Sequence, residues 1–288
     1  LLSVLKNLFN IQDYMKHLLK DEYLNLESIA EANKKKYINA KPFPHIYFDN
    51  FFNDQALNNI LSDWPNTKDN KKFFNEDGKN EKKISTSSPL ALDVIPSLNE
   101  FLSFLNSYRF VNFVQNITGI EESLVPDPYF IGGGVHEIKR GGFLKVHADF
   151  NYHPKFKLSR RINALIYLNK NWEENYGGHL ELWDRKMQNC EIKILPVFNR
   201  MVIFNTTYFS YHGHPNPLNC PENKSRKSLA LYYYSNGRPK EEMHKDFDNQ
   251  FRTTLWKNRK NNQGEVSNSM PIYKKIFGKL YYKTKIKN

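Results

Sequence analysis

Cysteine is nearly absent: Cys190 and Cys220 are the two in 288 residues. Two thiols are too few for the disulfide framework of a small secreted domain. They are expected as free thiols of a cytoplasmic protein. Long apolar runs are missing as well. The longest, Leu229–Tyr234, falls far short of the roughly 18 residues a membrane-spanning helix needs, so no transmembrane segment is expected. Leu1–Leu19 lacks the basic-then-apolar order of a signal peptide, because Lys6, Asp13, Lys16 and His17 interrupt it. Gly132-Gly133-Gly134 lacks the Lys-Ser/Thr helix start that would make it a phosphate loop. No internal repeat stands out. The length fits one large domain or two small ones, with enough chain to bury a core without disulfide or metal staples.

Acid is scarce at the C-terminal end. Residues 249–288 hold ten Lys/Arg and the single acid Glu265, which makes +9 of the net +12. The first 248 residues therefore carry only +3. This is a basic tail rather than a basic nucleic-acid module. It is expected to be solvated or loosely docked, or to touch an anionic surface such as membrane, nucleic acid or an acidic substrate. The 32 lysines against 10 arginines also raise the charge without implying a binding role.

Three segments follow from the patterning: an N-terminal helical arm over 1–39, a central domain over 40–238 and the tail over 239–288. In the arm, Leu2, Leu5, Leu8 and Phe9, then Tyr14, Leu18 and Leu19, recur at helix spacing. Pro42–Phe48 reads as extended. Asp54 can N-cap a helix carrying Leu57, Ile60 and Leu61, stopped by Pro65. Residues 66–85 are polar and read as a mobile loop. Residues 97–118 give two short helices ending at Thr118-Gly119. From there the texture is β: Gly134–Ile138, Phe143–His147, Ile162–Leu168, His179–Trp183, Glu191–Ile194, Arg200–Phe204 and Ser228–Tyr234 are short runs between turn signals. Such spacing argues for an antiparallel sandwich or barrel.

Four residues carry chemistry on that scaffold. His147 and Asp149 are two apart at a strand end, so their side chains share one side. His212 lies in Ser210-Tyr211-His212-Gly213-His214-Pro215, with His214 as its rival for a third position. Two imidazoles and one carboxylate suit non-haem Fe(II) with open coordination positions. Arg226 shares a strand face with Ser228, Ala230 and Tyr232. A guanidinium in such surroundings is costly without an anion to meet it, and it clamps a carboxylate well. Lys227 faces the other way. His153, Trp183 and Asn151 are expected as rim or packing residues, and His136 as a sheet residue.

Gly141–Phe150, Arg161–Asn169, Tyr176–Trp183, Ser210–Pro215 and Arg226–Tyr234 together resemble the Fe(II)/2-oxoglutarate-dependent dioxygenases, in their prolyl 4-hydroxylase-like branch. With Pro42–His45 and Asp127-Pro128 the likeness spans roughly 40–238. It implies a mainly β fold with flanking helices around a double-stranded β-helix, the jelly roll of cupins. It implies Fe(II) on His147, Asp149 and His212. It implies 2-oxoglutarate as co-substrate on Arg226 and on Tyr167 of the Tyr-Leu-Asn motif, with Leu180 on the pocket wall; Asn163 shares a strand face with Tyr167 and lines the same pocket. O2 completes the reactants, ascorbate serves as accessory reductant, and succinate and CO2 leave. Leu144 stands where many prolyl hydroxylases carry tyrosine. A peptidyl proline is the default substrate, with other peptide side chains and small molecules open. Substrate selection is expected from 66–85 and 151–157. The competing readings are a cupin-like metal-binding protein or isomerase that needs no arginine clamp, and a nucleic-acid-associated protein driven by the tail.

Overall fold

The computed structural model describes residues 12–64, 66–67, 73–86, 95–153, 155–243 and 252–257. Helix occupies α1 (12–18), α2 (Leu26–Ile38), α3 (Asp54–Ser62), α4 (Pro96–Leu105) and α5 (Tyr108–Thr118). The thirteen strands are β1 (His45–Asp49), β2 (Phe73–Asp77), β3 (Glu81–Thr86), β4 (Val125–Pro126), β5 (Gly134–Lys139), β6 (Phe143–Ala148), β7 (Ser159–Tyr167), β8 (Leu180–Trp183), β9 (Cys190–Ile194), β10 (Arg200–Asn205), β11 (His212–His214), β12 (Ser225–Ser235) and β13 (Leu255–Trp256). They form one antiparallel sheet in the order β1-β10-β7-β12-β5-β3-β6-β11-β8-β9, with β2, β4 and β13 attached at its sides.

Alternation along the strands divides two cores. On β7, Ile162, Ala164 and Ile166 join Met201, Ile203, Leu229, Leu231 and Tyr233 in packing against the helices. The helices bring Phe101, Phe104, Phe110 and Phe113 to that layer, and Tyr233 donates its hydroxyl hydrogen to the Leu105 carbonyl at 2.9 Å. The other face of the same strands turns inward. Tyr167, Val202 and Phe204 meet Leu180, Leu182 and Ile194 from β8 and β9, so the two ends of the strand order close upon each other. This is why β12 reads as a continuous apolar run: both its faces are covered. Val146 and Ala148 of β6 point away from the cavity, against Trp183, Met187 and Tyr211.

Several local expectations change. Asn53, not Asp54, caps α3: its extended backbone lets Oδ1 accept from Gln55 N at 2.8 Å. Asp54 is the first helical residue and accepts instead from Asn199 Nδ2 at 2.6 Å. The arm breaks after residue 18 and resumes at Leu26; the apolar positions Leu2, Leu5, Leu8 and Phe9 lie outside the described residues, as does Pro65. Within 66–85 there is a hairpin rather than a loop. β2 and β3 pair from Phe73↔Thr86 to Asp77↔Lys82, and β3 bridges β5 and β6. Its polar sequence hid it, because charge pairs replace apolar alternation: Lys83 Nζ lies 3.0 Å from Glu81 and 3.5 Å from Glu76. Both cysteines are free thiols. No helix of the described residues is long and apolar enough to cross a membrane.

Candidate metal centre

β6 and β11 run side by side with His212 directly opposite His147. Gly213 permits the approach: a Cβ there would stand 2.8 Å from the Leu144 carbonyl oxygen and 2.9 Å from that of Lys145. Asp149 follows two residues after His147, beyond the strand end. All three side chains are buried, and one ligand atom from each lies within 4.8 Å of the others. His147 Nε2 is 3.4 Å from Asp149 Oδ1, and His212 Nε2 is 3.4 Å from Asp149 Oδ2.

The opposite ring nitrogens are already committed. His147 Nδ1 donates to the Lys145 carbonyl at 2.7 Å and His212 Nδ1 to the Ser210 carbonyl at 2.9 Å. A carbonyl can only accept, so each ring keeps a proton on Nδ1 and turns Nε2 to the cluster. Burial, offset in part by Asp149, pushes His212 down to about 4, so the ring is neutral near pH 7. Asp149 has its carboxyl held well below the carboxylate range: burial opposes this, and the charge of Arg160, His212 and His147 overcomes it. Two imidazoles that turn Nε2 inward and an ionised carboxylate are the donor set a divalent ferrous ion takes, and they leave other positions open.

Asp149 is held from behind. Asn163 Nδ2 donates to Oδ2 at 2.7 Å and Arg160 Nη2 at 3.0 Å. Arg160 is itself fixed between the rings of Phe150 and Tyr232, 4.3 and 3.3 Å from their centroids. Asn163 thus touches the carboxylate ligand, a role sequence reading missed when it gave Asn163 to the co-substrate pocket. Arg160 was missed altogether, since one basic residue at a strand start gives no signal.

Arg226 and Tyr167 lie deeper, on β12 and β7. Arg226 Nε donates to the Gly178 carbonyl at 2.8 Å and Nη2 to the Tyr167 hydroxyl at 3.2 Å. Gly178, at φ +74°, must lack a side chain, because a Cβ would stand 2.7 Å from Leu218 and 3.0 Å from Arg226 Cδ. Burial lowers the Arg226 pKa and raises that of Tyr167. Among the described residues no carboxylate pairs with this buried guanidinium. It is a charge set in place without its counter-ion, which fits an anionic ligand at that end. Leu180 packs with Tyr167 in the same wall.

The remaining expectations sort readily. His153 is packed, its Nε2 3.3 Å from Asp127. Trp183 lies on the far side of β8, bonded to Glu181 at 3.0 Å. His136 is in β5, as expected of a sheet residue. The tail is docked where it can be described. β13 pairs Trp256 with His147 and Leu255 with Ala148, and the Trp256 ring lies 4.8 Å from that of His147. Arg252, buried, donates to the Asp149 carbonyl at 2.8 Å. Net charge concealed this strand, because a two-residue pairing has no periodicity to read.

Residues 133–234 match the family model of the 2OG-Fe(II) oxygenase superfamily. They are a 2OG-Fe(II) oxygenase domain. Structures similar to about three quarters of the chain agree in fold. A prolyl hydroxylase from Trichoplax adhaerens, in complex with a hypoxia inducible factor oxygen degradation domain peptide fragment, is 17% identical with a TM-score of 0.52, covering 75% of this chain and 93% of that one. A prolyl 4-hydroxylase from Phytophthora capsici is 16% identical with a TM-score of 0.50, covering 74% and 65%. The oxygenase domain therefore has the jelly-roll core of this enzyme class, and the family is one of iron- and 2-oxoglutarate-dependent oxidoreductases.

Proposed function

We propose that the chain is a hydroxylase that uses Fe(II), O2 and 2-oxoglutarate. His147, Asp149 and His212 would hold the iron, and Arg226 with Tyr167 the distal carboxylate of 2-oxoglutarate. The observation that carries this reading is the pairing of two features on one inner face, linked by Phe204, which lies against His212 and packs with Tyr167. Three buried donors converge with both Nδ1 atoms committed to carbonyls and both Nε2 atoms turned inward, and a buried guanidinium lies in the same interior with no acid of its own. Arg226 favours this over a cupin-like isomerase, which has no use for it.

The bound metal supplies O2 activation; the protein supplies placement. Nδ1 bonds to the Lys145 and Ser210 carbonyls fix both rings, and Asn163 and Arg160 hold Asp149 by one oxygen so that the other is free. Arg226 and Tyr167 would set the co-substrate's length against the ligand cluster. Phe204, whose ring lies 4.7 Å from that of His212, and Trp256 help keep the centre dry. Overall, one oxygen atom enters a substrate C–H bond and the other enters succinate, with loss of CO2.

The substrate is proposed as a peptide side chain, with proline first, by analogy with the Trichoplax adhaerens enzyme. Leu144 in place of tyrosine argues for a substrate or co-substrate contact that differs from the usual one. Succinate release from 2-oxoglutarate with Fe(II) and ascorbate tests the chemistry, and a +16 Da gain across candidate peptides tests the substrate. His147→Ala and Asp149→Ala are expected to lose metal binding and turnover while keeping the far-ultraviolet circular dichroism of the parent. Arg226→Ala is expected to raise the KM for 2-oxoglutarate by roughly a hundred-fold or more, as for loss of a charged hydrogen-bonded partner. Undiminished turnover in that variant overturns the clamp.

A further inference from the structure

One buried side chain of the described core has both its polar atoms unmatched. His214 is 3% exposed, and neither Nδ1 nor Nε2 has a hydrogen-bond partner. An imidazole removed from water with nothing to bond is more costly than an apolar residue of its size. His136 leaves Nε2 alone unmatched, and the remaining interior histidines of the site region are matched. His153 Nδ1 accepts from the backbone of Phe156 at 3.0 Å and its Nε2 meets Asp127, while His147 and His212 donate to carbonyls.

Its position says what could match it. His214 is two residues beyond His212 on β11, so the two side chains share the inner face. The strand register sets it opposite Leu144, which offers no polar atom. It does not join the ligand cluster, which takes His212. β8 flanks β11 on its other side, with His212 opposite Leu182 and Gly213 opposite Glu181, so the strand carries His214 toward Leu180, which packs with Tyr167, the partner of Arg226. An imidazole N–H beside a guanidinium that has no acid of its own is complementary to a carboxylate.

We propose that His214 donates a hydrogen bond to the distal carboxylate of 2-oxoglutarate, as a third contact beside Arg226 and Tyr167; this rests on the co-substrate reading given above. A carboxylate accepts up to about four hydrogen bonds. Arg226 has spent Nε on Gly178, and Tyr167 accepts from Nη2 and keeps its own hydrogen to give. The two leave room for another donor, and β11 lies next to β8, whose Leu180 packs on Tyr167. An imidazole carries an N–H in either tautomer, so the ring can donate. The contact makes this cavity selective for 2-oxo diacids over 2-oxo monoacids, and it replaces a polar group that Leu144 lacks.

The test is binding without turnover. Mn(II)-loaded full-length protein is titrated by calorimetry with 2-oxoglutarate and with 2-oxopentanoate, which has the same chain but no distal carboxylate. His214→Leu is expected to weaken 2-oxoglutarate roughly ten-fold or more and to leave 2-oxopentanoate and Mn(II) binding unchanged. His214→Gln, which keeps an N–H, recovers part of the loss. Equal weakening of both acids would make His214 a shaping residue and overturn the proposal, as would undiminished 2-oxoglutarate binding or loss of Mn(II). A parent protein that takes Mn(II) but no 2-oxoglutarate would instead sink the co-substrate reading itself.

Discussion

Asp149 shows how a carboxylate is made into a ligand by its neighbours. One oxygen takes hydrogen bonds from Asn163 and Arg160, which keeps the group ionised and aimed. Partners of this kind are typically worth about 10- to 100-fold in metal affinity. Asn163→Leu, close in size but without the amide, is expected to weaken Mn(II) by roughly that factor with little change in fold. Calorimetric Mn(II) titration beside thermal unfolding checks it, and unchanged affinity would remove Asn163 from the centre. His147 and Asp149, two of the proposed donors, were legible in the sequence because two-residue spacing on a strand is local information, whereas His212 was reached through the resemblance of its segment. Their supports were not. Arg160 and Asn163 reach Asp149 across 11 and 14 residues of chain, and no pattern along the sequence records which side chain meets which across a sheet.

Elements were legible to the degree that their faces differ. β7, β10 and β12 carry apolar residues on the helix side and the site on the other. The β2–β3 hairpin and β13 were not, since one is held by charge pairs and the other is two residues long. β13 yields its own prediction. Trp256 has its ring tilted at 43° to that of His147, 4.8 Å away, whereas Trp183 lies on the outer side of β8. Co(II) is therefore expected to quench part of the intrinsic fluorescence, and Trp256→Phe to abolish most of that quenching. Quenching that persists in the variant would show that β13 does not lie on the centre.

At the scale of the whole molecule, the interior is built from rings and cations kept from water. His136 is lowered to about 3, first by burial and then by Lys83, and His212 to about 4. The unfolded chain takes a proton on each near 6.5. As pH falls below 6.5, unfolding gains protons that the folded chain refuses until about 4 and then about 3. Stability of the metal-free protein is thus full above 6.5 and lost progressively across that window. The melting temperature is expected to fall steadily from pH 7 to pH 4, and less steeply in His136→Phe. A flat profile would mean that these rings are not buried neutral.

The pairing of Leu255 and Trp256 with β6 also sets an order of events in synthesis. His147, Asp149 and His212 have all left the ribosome before the segment that covers β6 exists. Until residues 252–257 arrive, the free edge of β6 exposes the Val146 carbonyl, later bonded by Lys257 N at 3.0 Å, and the Asp149 carbonyl, later bonded by Arg252. An open edge of this kind pairs readily with a neighbouring chain. A polypeptide cut short before residue 252 would keep every ligand and still be the more prone to associate with its own copies.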